Sequence, residues 1–407
     1  MAQVTTAAQS QQKSLHQTSM VWGSAALLLI ATLMVGSIIS VTQGALMLVG
    51  GALGLVLYHA AFGFTSAWRV FIIDRRGRGL RAQMVLLAVA VVLFFPALSA
   101  GTLLDHPVRG FVSPIGISVM VGAFMFGIGM QLGGGCASGT LFTAGGGNAR
   151  MVVTLLFFIV GSVLATIHFD WWASLPAFKP VSLVELGAGP GIAISLVLFA
   201  VIAALTVLLE RRRHGRLEAA AVPAERRGSS RWLRGPWPLL LGAIALALLN
   251  FVTLALAGRP WGITSAFALW GAKGLQLLGG DPGQWAYWQQ PGNAQALSQS
   301  LWHDVTSIMN IGIILGAMLA AALAGRFRPT LRIPARSLMA CVIGGVLLGY
   351  GARIAFGCKI GAYFSGIASG SLHGWVWMVF AFAGNLVGVK LRPFFFDRPA
   401  RPAVSGC

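Results

Sequence analysis

Ten apolar stretches, each long enough to cross a lipid bilayer, constrain the fold of this chain more than any other feature. A membrane-crossing helix needs about 17–25 predominantly apolar residues. Such stretches lie at residues 20–41, 44–62, 82–104, 114–134, 151–168, 187–209, 236–258, 304–324, 337–357 and 372–391. Only 10% of the residues are charged, against about 25% in a soluble domain. The sequence therefore predicts an all-α polytopic membrane protein whose first stretch is a span rather than a cleaved signal peptide.

Four shorter apolar pieces each follow a span almost directly and begin near Gly, Cys or Thr-Ser. They lie at residues 63–73, 136–144, 262–278 and 359–368. These pieces are too short to cross the bilayer. Irregular backbone at membrane depth is tolerated only inside protein or beside a wet cavity. We therefore expect four re-entrant half-helices.

The basic residues indicate the orientation in the membrane. With ten crossings and four re-entrant pieces, the arginine clusters fall on one side of the membrane together with both termini. They lie in loop 75–81, linker 210–235, loop 326–336 and the tail from 392. The opposite loops, at 105–113, 169–186 and 279–303, hold only Arg109 and Lys179. The positive-inside rule predicts an inner-membrane protein with both termini cytoplasmic. The net charge of +19 is explained in this way, without a nucleic-acid partner.

Two motifs occur twice. The first pairs Gly127, Gly129, Gly135, Cys136, Gly139 and Phe142 with Gly349, Gly351, Gly357, Cys358, Gly361 and Phe364. The second pairs residues 63–67 with 262–266 around a Thr-Ser dipeptide. Glycine-interrupted segments at corresponding places in two halves are the best sequence pointer to a transport site.

The order of elements predicts an inverted repeat, because the half-helices of the two halves enter from opposite faces. Each half has a span, a Thr-Ser half-helix, two spans, a Gly-Cys half-helix and a span. The expected divisions are an N-terminal tail and first span (1–43), a first repeat (44–209), a basic cytoplasmic linker (210–235), a second repeat (236–392) and a C-terminal tail (393–407).

Cys136 and Cys358 are the principal candidates for a substrate path. Each precedes a half-helix, so its thiol would lie near a partly positive helix N-terminus that attracts anions. The alternative is that a buried cysteine is a small core hydrophobe, which we expect for Cys341. A disulfide between Cys136 and Cys358 would need Cα atoms within about 7 Å. The sequence leaves that possibility open.

The glycines before Cys136 also suggest an anion site. Gly133, Gly134 and Gly135 expose backbone N–H groups and permit positive φ, as an anion-binding nest requires. Gly135 and Gly357 are expected to make the turn between span and half-helix. For the later run 145–147 two interpretations stay open, the same anion-binding role and a more tolerant loop.

Hydroxyl and basic side chains complete the candidate path. Thr65, Ser66, Thr264 and Ser265 could cap the Thr-Ser half-helices or line the path. Arg353 and Lys359 flank Cys358, and an intramembrane charge is a functional hypothesis by default. For Arg69 and Lys273 we expect snorkelling to an interface.

The two Gly-Cys motifs, together with the run Phe364-Ser-Gly-Ile-Ala-Ser-Gly-Ser-Leu-His-Gly-Trp375, resemble the YeeE/YedE family of membrane transporters of thiosulfate and other sulfur compounds. The resemblance covers about residues 44–392. It implies an hourglass shape, cysteines along a central path that contact the substrate sulfur, and a cytoplasmic TusA-like sulfur carrier as partner. Thiosulfate-importing relatives have a further cysteine where this chain has Gly63. A related sulfur or selenium species therefore stays open as the substrate.

The favoured function is uptake of a small sulfur-containing anion, thiosulfate first, rather than an enzymatic reaction. One alternative is an enzyme that relays sulfane sulfur as a persulfide between Cys136, Cys358 and a carrier. Another is a structural partner subunit. No catalytic residue, metal or cofactor is predicted, because carboxylates fall in loops or at span ends and histidines occur singly.

Overall fold

The structure, a computed structural model, describes residues 2–218, 230–327, 329 and 332–396. Parts of the predicted linker (219–229) and tail (397–407), including Cys407, lie outside the described residues. Ten helical segments among those described are long and apolar enough to cross a membrane, which confirms the predicted spans. The long helices are α1 (Ala2–Ile38), α2 (Val41–His59), α4 (Arg78–Ala100), α5 (Ile117–Gly133), α7 (Ala149–Ile167), α9 (Ala188–His214), α11 (Leu239–Ala257), α15 (Val305–Leu323), α16 (Ala335–Ile354) and α18 (Leu372–Leu391).

Short helices lie at the four predicted half-helix positions. They are α3 (Phe64–Asp74), α6 (Ala137–Gly145), α12 (Thr264–Leu277) and a π-helix (Lys359–Ser365) that continues into α17 (Gly366–Ala368). The last one differs from the predicted α-helix. The N–H groups of Ala362 and Tyr363 both donate to Cys358 O, at 2.8 and 3.4 Å, so the first turn is wider than an α-turn.

The connections contain small elements that the sequence analysis left as loops. These are α8 (Phe169–Ser174), α10 (Ser230–Arg234), α13 (Ala286–Gln289), α14 (Pro291–Ser298), four 3₁₀ turns (Leu183–Leu186, Pro282–Gln284, Leu301–His303 and Arg392–Phe394) and four two-residue strands, β1 (Thr102–Leu103), β2 (His106–Pro107), β3 (Ile115–Gly116) and β4 (Ala177–Phe178). Strand β1 pairs antiparallel with β2, and β3 pairs antiparallel with β4. The second pair ties together two loops on one face of the protein.

Each packing contact between long helices has a counterpart in which the two halves have changed places. Helix α5 crosses α16 at the centre, α7 packs on α16 as α18 packs on α5, and α2 packs on α15 as α4 packs on α11. The half-helix contacts are paired in the same way, since α12 of the second half contacts α7 of the first, and α3 of the first half contacts α18 of the second. This is the pattern that a two-fold axis relating the two halves produces.

The repeated glycines let the central helices approach closely. A Cβ on Gly129 would lie 2.9 Å from Gly344 O, and one on Gly351 would lie 2.5 Å from Gly122 O. Each pair is the counterpart of the other in the repeat. Small residues allow such backbone contact between membrane helices, so these glycines are packing residues.

The run 364–375 anchors loops to the second half. Phe111 N donates to Ser369 Oγ at 2.9 Å and Ser113 N to Ser371 Oγ at 3.4 Å. Ser182 Oγ donates to Ser369 O at 2.8 Å. The serines in this run therefore hold the connections α4–α5 and α7–α9 against the core.

Glu210 links several segments on the face of the protein opposite to the β3–β4 pair. The sequence analysis had placed it only among the carboxylates in loops or at span ends. Its side chain is fully buried and accepts hydrogen bonds from Gly77 N (3.0 Å), Arg81 Nη1 (2.8 Å) and Glu218 N (2.7 Å). We call this side, with residues 75–77, 215–218, 235–238 and Arg326, the arginine-rich face. The other side, with residues 101–116, 168–187 and 278–304, is the tryptophan-rich face.

Candidate functional site

A cavity of about 310 Å³ lies beside Cys136. Both repeated motifs of the first half contribute to its wall, and Arg326 from the arginine-rich face lies on its rim. The lining residues used below are Gly63, Phe64, Thr65, Ser66, Gly134, Gly135 and Cys136. The structure therefore brings the Thr-Ser and Gly-Cys segments together around one space, which we call the Cys136 cavity.

Two helices begin at the Cys136 cavity. Cys136 is the N-cap residue of α6 and Gly63 is that of α3, and neither helix start has a side-chain capping hydrogen bond. The first N–H groups of a helix lack intrahelical partners and carry partial positive charge. Backbone donors from both helices therefore favour an anion in this cavity.

The two repeated cysteines have different surroundings. Cys136 lines the cavity, with Sγ 3.4 Å from Ser138 Oγ. Cys358 is the N-cap of the π-helix, where its Sγ accepts from Ile360 N at 3.4 Å, and it has 0% exposure. Cys136, Cys341 and Cys358 are all free thiols, so the structure contains no Cys136–Cys358 disulfide.

The chain reversal before Cys136 does not use the expected glycine. The left-handed residue is Gly134 (φ +86°), which ends α5, whereas φ of Gly135 lies outside the positive region. In the second half Gly357 does have positive φ (+149°), preceded by Phe356 at +55°. Gly133 packs on α16 rather than lining the Cys136 cavity. Its backbone lies so close to Gly344 of α16 that a Cβ on Gly344 would collide with it.

The interpretation of the later glycine run as a tolerant loop is wrong at Gly145. Gly145 is the buried last residue of α6, and a Cβ there would collide with Ile314 O of α15. Of this run only Gly147 has positive φ (+93°). Gly145 is therefore a contact between the half-helix and a span.

The hydroxyl residues do not cap their helices. Thr65 Oγ1 is buried without a hydrogen-bond partner among the described residues, and Ser66 Oγ donates back to Gly63 O at 3.0 Å. Ser265 Oγ bonds to Thr306 Oγ1 at 3.1 Å, while Thr264 is buried at the first position of α12. The capping alternative is wrong, and Thr65 and Ser66 line the Cys136 cavity instead.

Gly63 stands where thiosulfate-importing relatives were expected to have cysteine. A Cβ at this position would collide with Ser66 Oγ. The Ser66 hydroxyl therefore fills the space that a side chain at position 63 would need.

A second cavity, of about 380 Å³, opens at the tryptophan-rich face. Its lining includes Ser265, Tyr287, Arg259 and Asp304. Arg259, which the sequence analysis did not assign to this face, lies 3.8 Å from Asp304 in an ion pair. The two cavities lie on opposite faces, and none of the residues that line them belongs to the buried Cys358 segment.

Two intramembrane cations bind α13 and α14, two short helices whose residues line this second cavity. Arg353 donates to the hydroxyl of Tyr287 in α13 and lies over its ring. Lys273 Nζ donates to Leu297 O of α14 at 2.6 Å rather than snorkelling outward. The structure thus places Arg353 against Tyr287, which lines the second cavity, and not among the residues that line the Cys136 cavity.

Lys359 lies between the halves. It has 0% exposure, and its Nζ donates to Phe64 O at 3.2 Å. The ammonium lies 3.2 Å from the ring centroid of Trp68 and 5.4 Å from that of Tyr363. Sequence reasoning missed these aromatic partners. The contact with Tyr363 could have been predicted, because residues at i and i+4 are neighbours on a helix surface.

Comparisons with known proteins agree with this architecture. A family model described as "Sulphur transport" matches residues 59–387. The thiosulfate transporter TsuA of Spirochaeta thermophila is 31% identical over 356 residues, which cover 83% of this chain and 96% of the relative. TsuA of Escherichia coli is 27% identical over 369 residues, covering 87% and 95%. The probable transporter YedE of Escherichia coli is 32% identical over 168 residues, 40% of each chain.

Proposed function

This chain belongs to the sulphur transport family, and we propose that it carries thiosulfate across the inner membrane into the cytoplasm, past Cys136 and Cys358. The relatives named as thiosulfate transporters are matched over almost their whole length. Their names indicate a sulfur-containing anion as the substrate and transport rather than an enzymatic reaction as the activity.

One observation supports the path most strongly: the Cys136 thiol shares its cavity with the N-termini of α3 and α6. Thiosulfate is a dianion whose negative charge is shared by a soft terminal sulfur and three oxygens. A thiol can donate S–H weakly to the sulfur, and helix N-termini bind oxyanions. This wall suits an anion that carries both kinds of atom.

The proposed route runs between the faces. Substrate enters the outer cavity at the tryptophan-rich face, crosses the buried segment at Cys358 and leaves through the Cys136 cavity at the arginine-rich face. The arginine distribution supports the arginine-rich face as cytoplasmic.

Uptake of ³⁵S-labelled thiosulfate into proteoliposomes that contain only this protein tests the function. Cys136→Ala should lower uptake several-fold, because it removes one weak polar contact with the substrate. Cys341→Ala is the matched control, because it removes a buried thiol from α16 without touching the cavity. Equal uptake by the two variants at equal abundance would refute the cysteine path.

The same vesicles separate transport from a persulfide relay. Transport predicts label that is released as intact thiosulfate when the vesicles are lysed. A relay predicts label bound covalently to the protein and removed by a reducing thiol. The TusA-like partner stays a prediction, which co-purification with a sulfur carrier would test.

Single cysteines on each face test the direction. An impermeant maleimide applied to intact cells should label Gln299→Cys at the tryptophan-rich face and leave Arg212→Cys unlabelled until the cells are opened. Both native residues are exposed. The reverse pattern would invert the proposed path.

A further inference from the structure

Lys359 is a buried cation without a counter-charge in the described part of the chain. The ion pairs among the described residues use only the carboxylates of Glu210 and Asp304. Lys359 Nζ makes one hydrogen bond there, to Phe64 O, although an ammonium has three donors. The Trp68 ring, with its centroid 3.2 Å from Nζ, offsets part of the cost of burying this charge, but a buried charge that no carboxylate neutralises stays unfavourable. Such a residue indicates a ligand of opposite charge.

Two hydroxyl groups near this lysine are also unsatisfied. Tyr363 OH and Thr65 Oγ1 are buried, and neither has a hydrogen-bond partner among the described residues. Tyr363 has 0% exposure and Thr65 has 4%. Tyr363 lies on the same π-helix as Lys359, and Thr65 follows the residue whose carbonyl accepts from Nζ. The two unsatisfied hydroxyls thus belong to residues of the two segments that contact the ammonium.

Phe64 and Thr65 connect this lysine with the Cys136 cavity. Phe64 and Thr65 line the Cys136 cavity, and Lys359 Nζ lies 5.5 Å from the Phe64 ring centroid. Phe64 therefore contacts both the Cys136 cavity and the ammonium.

We infer that Lys359, Tyr363 and Thr65 form an oxyanion site at the inner end of the Cys136 cavity. There the transported anion supplies the counter-charge that Lys359 lacks. The inference rests on the proposed function and sharpens its substrate class. The anion must present oxygens to the ammonium and a soft sulfur to Cys136. Thiosulfate meets both requirements, and sulfate meets only the first.

Thermal unfolding of the purified protein tests this site without transport. Thiosulfate and sulfate are compared with chloride at matched ionic strength. Both oxyanions should raise the Tm of the wild type, and thiosulfate should raise it more. Lys359→Met should remove both shifts while raising the Tm without anion, because methionine keeps the apolar stem and removes the unpaired charge. Cys136→Ala should reduce the thiosulfate shift to that of sulfate.

Two further variants complete the test. Tyr363→Phe should reduce both shifts, since it deletes only the unsatisfied hydroxyl. Lys273→Met, at a lysine bound to a carbonyl of α14, should keep them. In vesicles, Lys359→Met should lower thiosulfate uptake by about tenfold or more, the effect of losing a charged hydrogen bond.

Two results would overturn the inference. One is a Lys359→Met protein that is less stable without anion and keeps the thiosulfate shift, since Lys359 would then be a structural cation. The other is a wild type whose Tm neither anion shifts while thiosulfate uptake is measured. A sulfate shift that depends on Lys359, without thiosulfate uptake, would support the site and refute thiosulfate as the substrate.

Discussion

The two Gly-Cys segments share a sequence pattern but differ in structure and in their suitability for a substrate. The first ends α5 at Gly134 and starts a regular α-helix, with its cysteine beside a cavity. The second passes through Phe356 and Gly357 at positive φ into a π-helix, and its cysteine has no exposure. Both cysteines are buried, with 1% exposure for Cys136 and 0% for Cys358, but only Cys136 is among the residues that line the cavity.

The residue after each cysteine contributes most to this difference. Ala137 follows Cys136, and Lys359 follows Cys358. The lysine extends into the other half, onto the Trp68 ring and the Phe64 carbonyl. The two copies thus share the Gly-Cys sequence pattern, while the residue after the cysteine gives them different electrostatics.

The largest effect is expected at the turn of the second Gly-Cys segment. In Gly357→Ala, positive φ and a Cβ 2.8 Å from Ala362 N would cost about 1–3 kcal/mol in backbone strain alone. The yield of monodisperse protein and its Tm should both fall. Gly361→Ala, where a Cβ meets nothing within 4 Å, should leave both near the wild-type values. Similar behaviour of the two variants would show that the backbone at Gly357 is not the constraint.

A smaller effect is expected in the first Gly-Cys segment, and on uptake rather than stability. A Cβ on Gly135 would meet Thr140 N at 3.2 Å, which is tight but free of left-handed strain. Gly135→Ala should change stability by less than about 1 kcal/mol, yet lower thiosulfate uptake several-fold by entering the Cys136 cavity. Gly145→Ala should instead lower the Tm, because its Cβ strikes α15. The opposite pattern would show that Gly135 is only a packing residue.

The smallest effect is a difference in thiol reactivity. In single-cysteine proteins, a small methanethiosulfonate should modify Cys136 faster than Cys358, because Cys136 lines a cavity and thiol reactivity follows access. Mass spectrometry over a time course measures both rates. Faster modification of Cys358 would mean that the second segment, not the first, faces open space, and the comparison above would be reversed.

The sequence by itself determined the ten spans, the four half-helices and the positions where the half-helices follow Cys136 and Cys358. Hydropathy, span length and glycine interruptions are local properties, and the bilayer permits few backbone solutions for them. The pairing of motifs also predicted the inverted order, because chain direction follows from counting crossings. Side-chain contacts between the halves had no part in these predictions.

Only the tertiary structure decided what each candidate residue touches. Lys359 and Phe64 lie 295 positions apart, Arg353 and Tyr287 lie 66 apart, and Glu210 and Gly77 lie 133 apart. The same holds for the glycines: Gly129 and Gly133 pack on α16, Gly145 packs on α15, and Gly134 and Gly135 line a cavity. Every glycine in such a run satisfies the local pattern equally. Whether a neighbouring helix fills the space beside a given glycine depends on packing between segments that are distant in the sequence. The local sequence does not encode that packing.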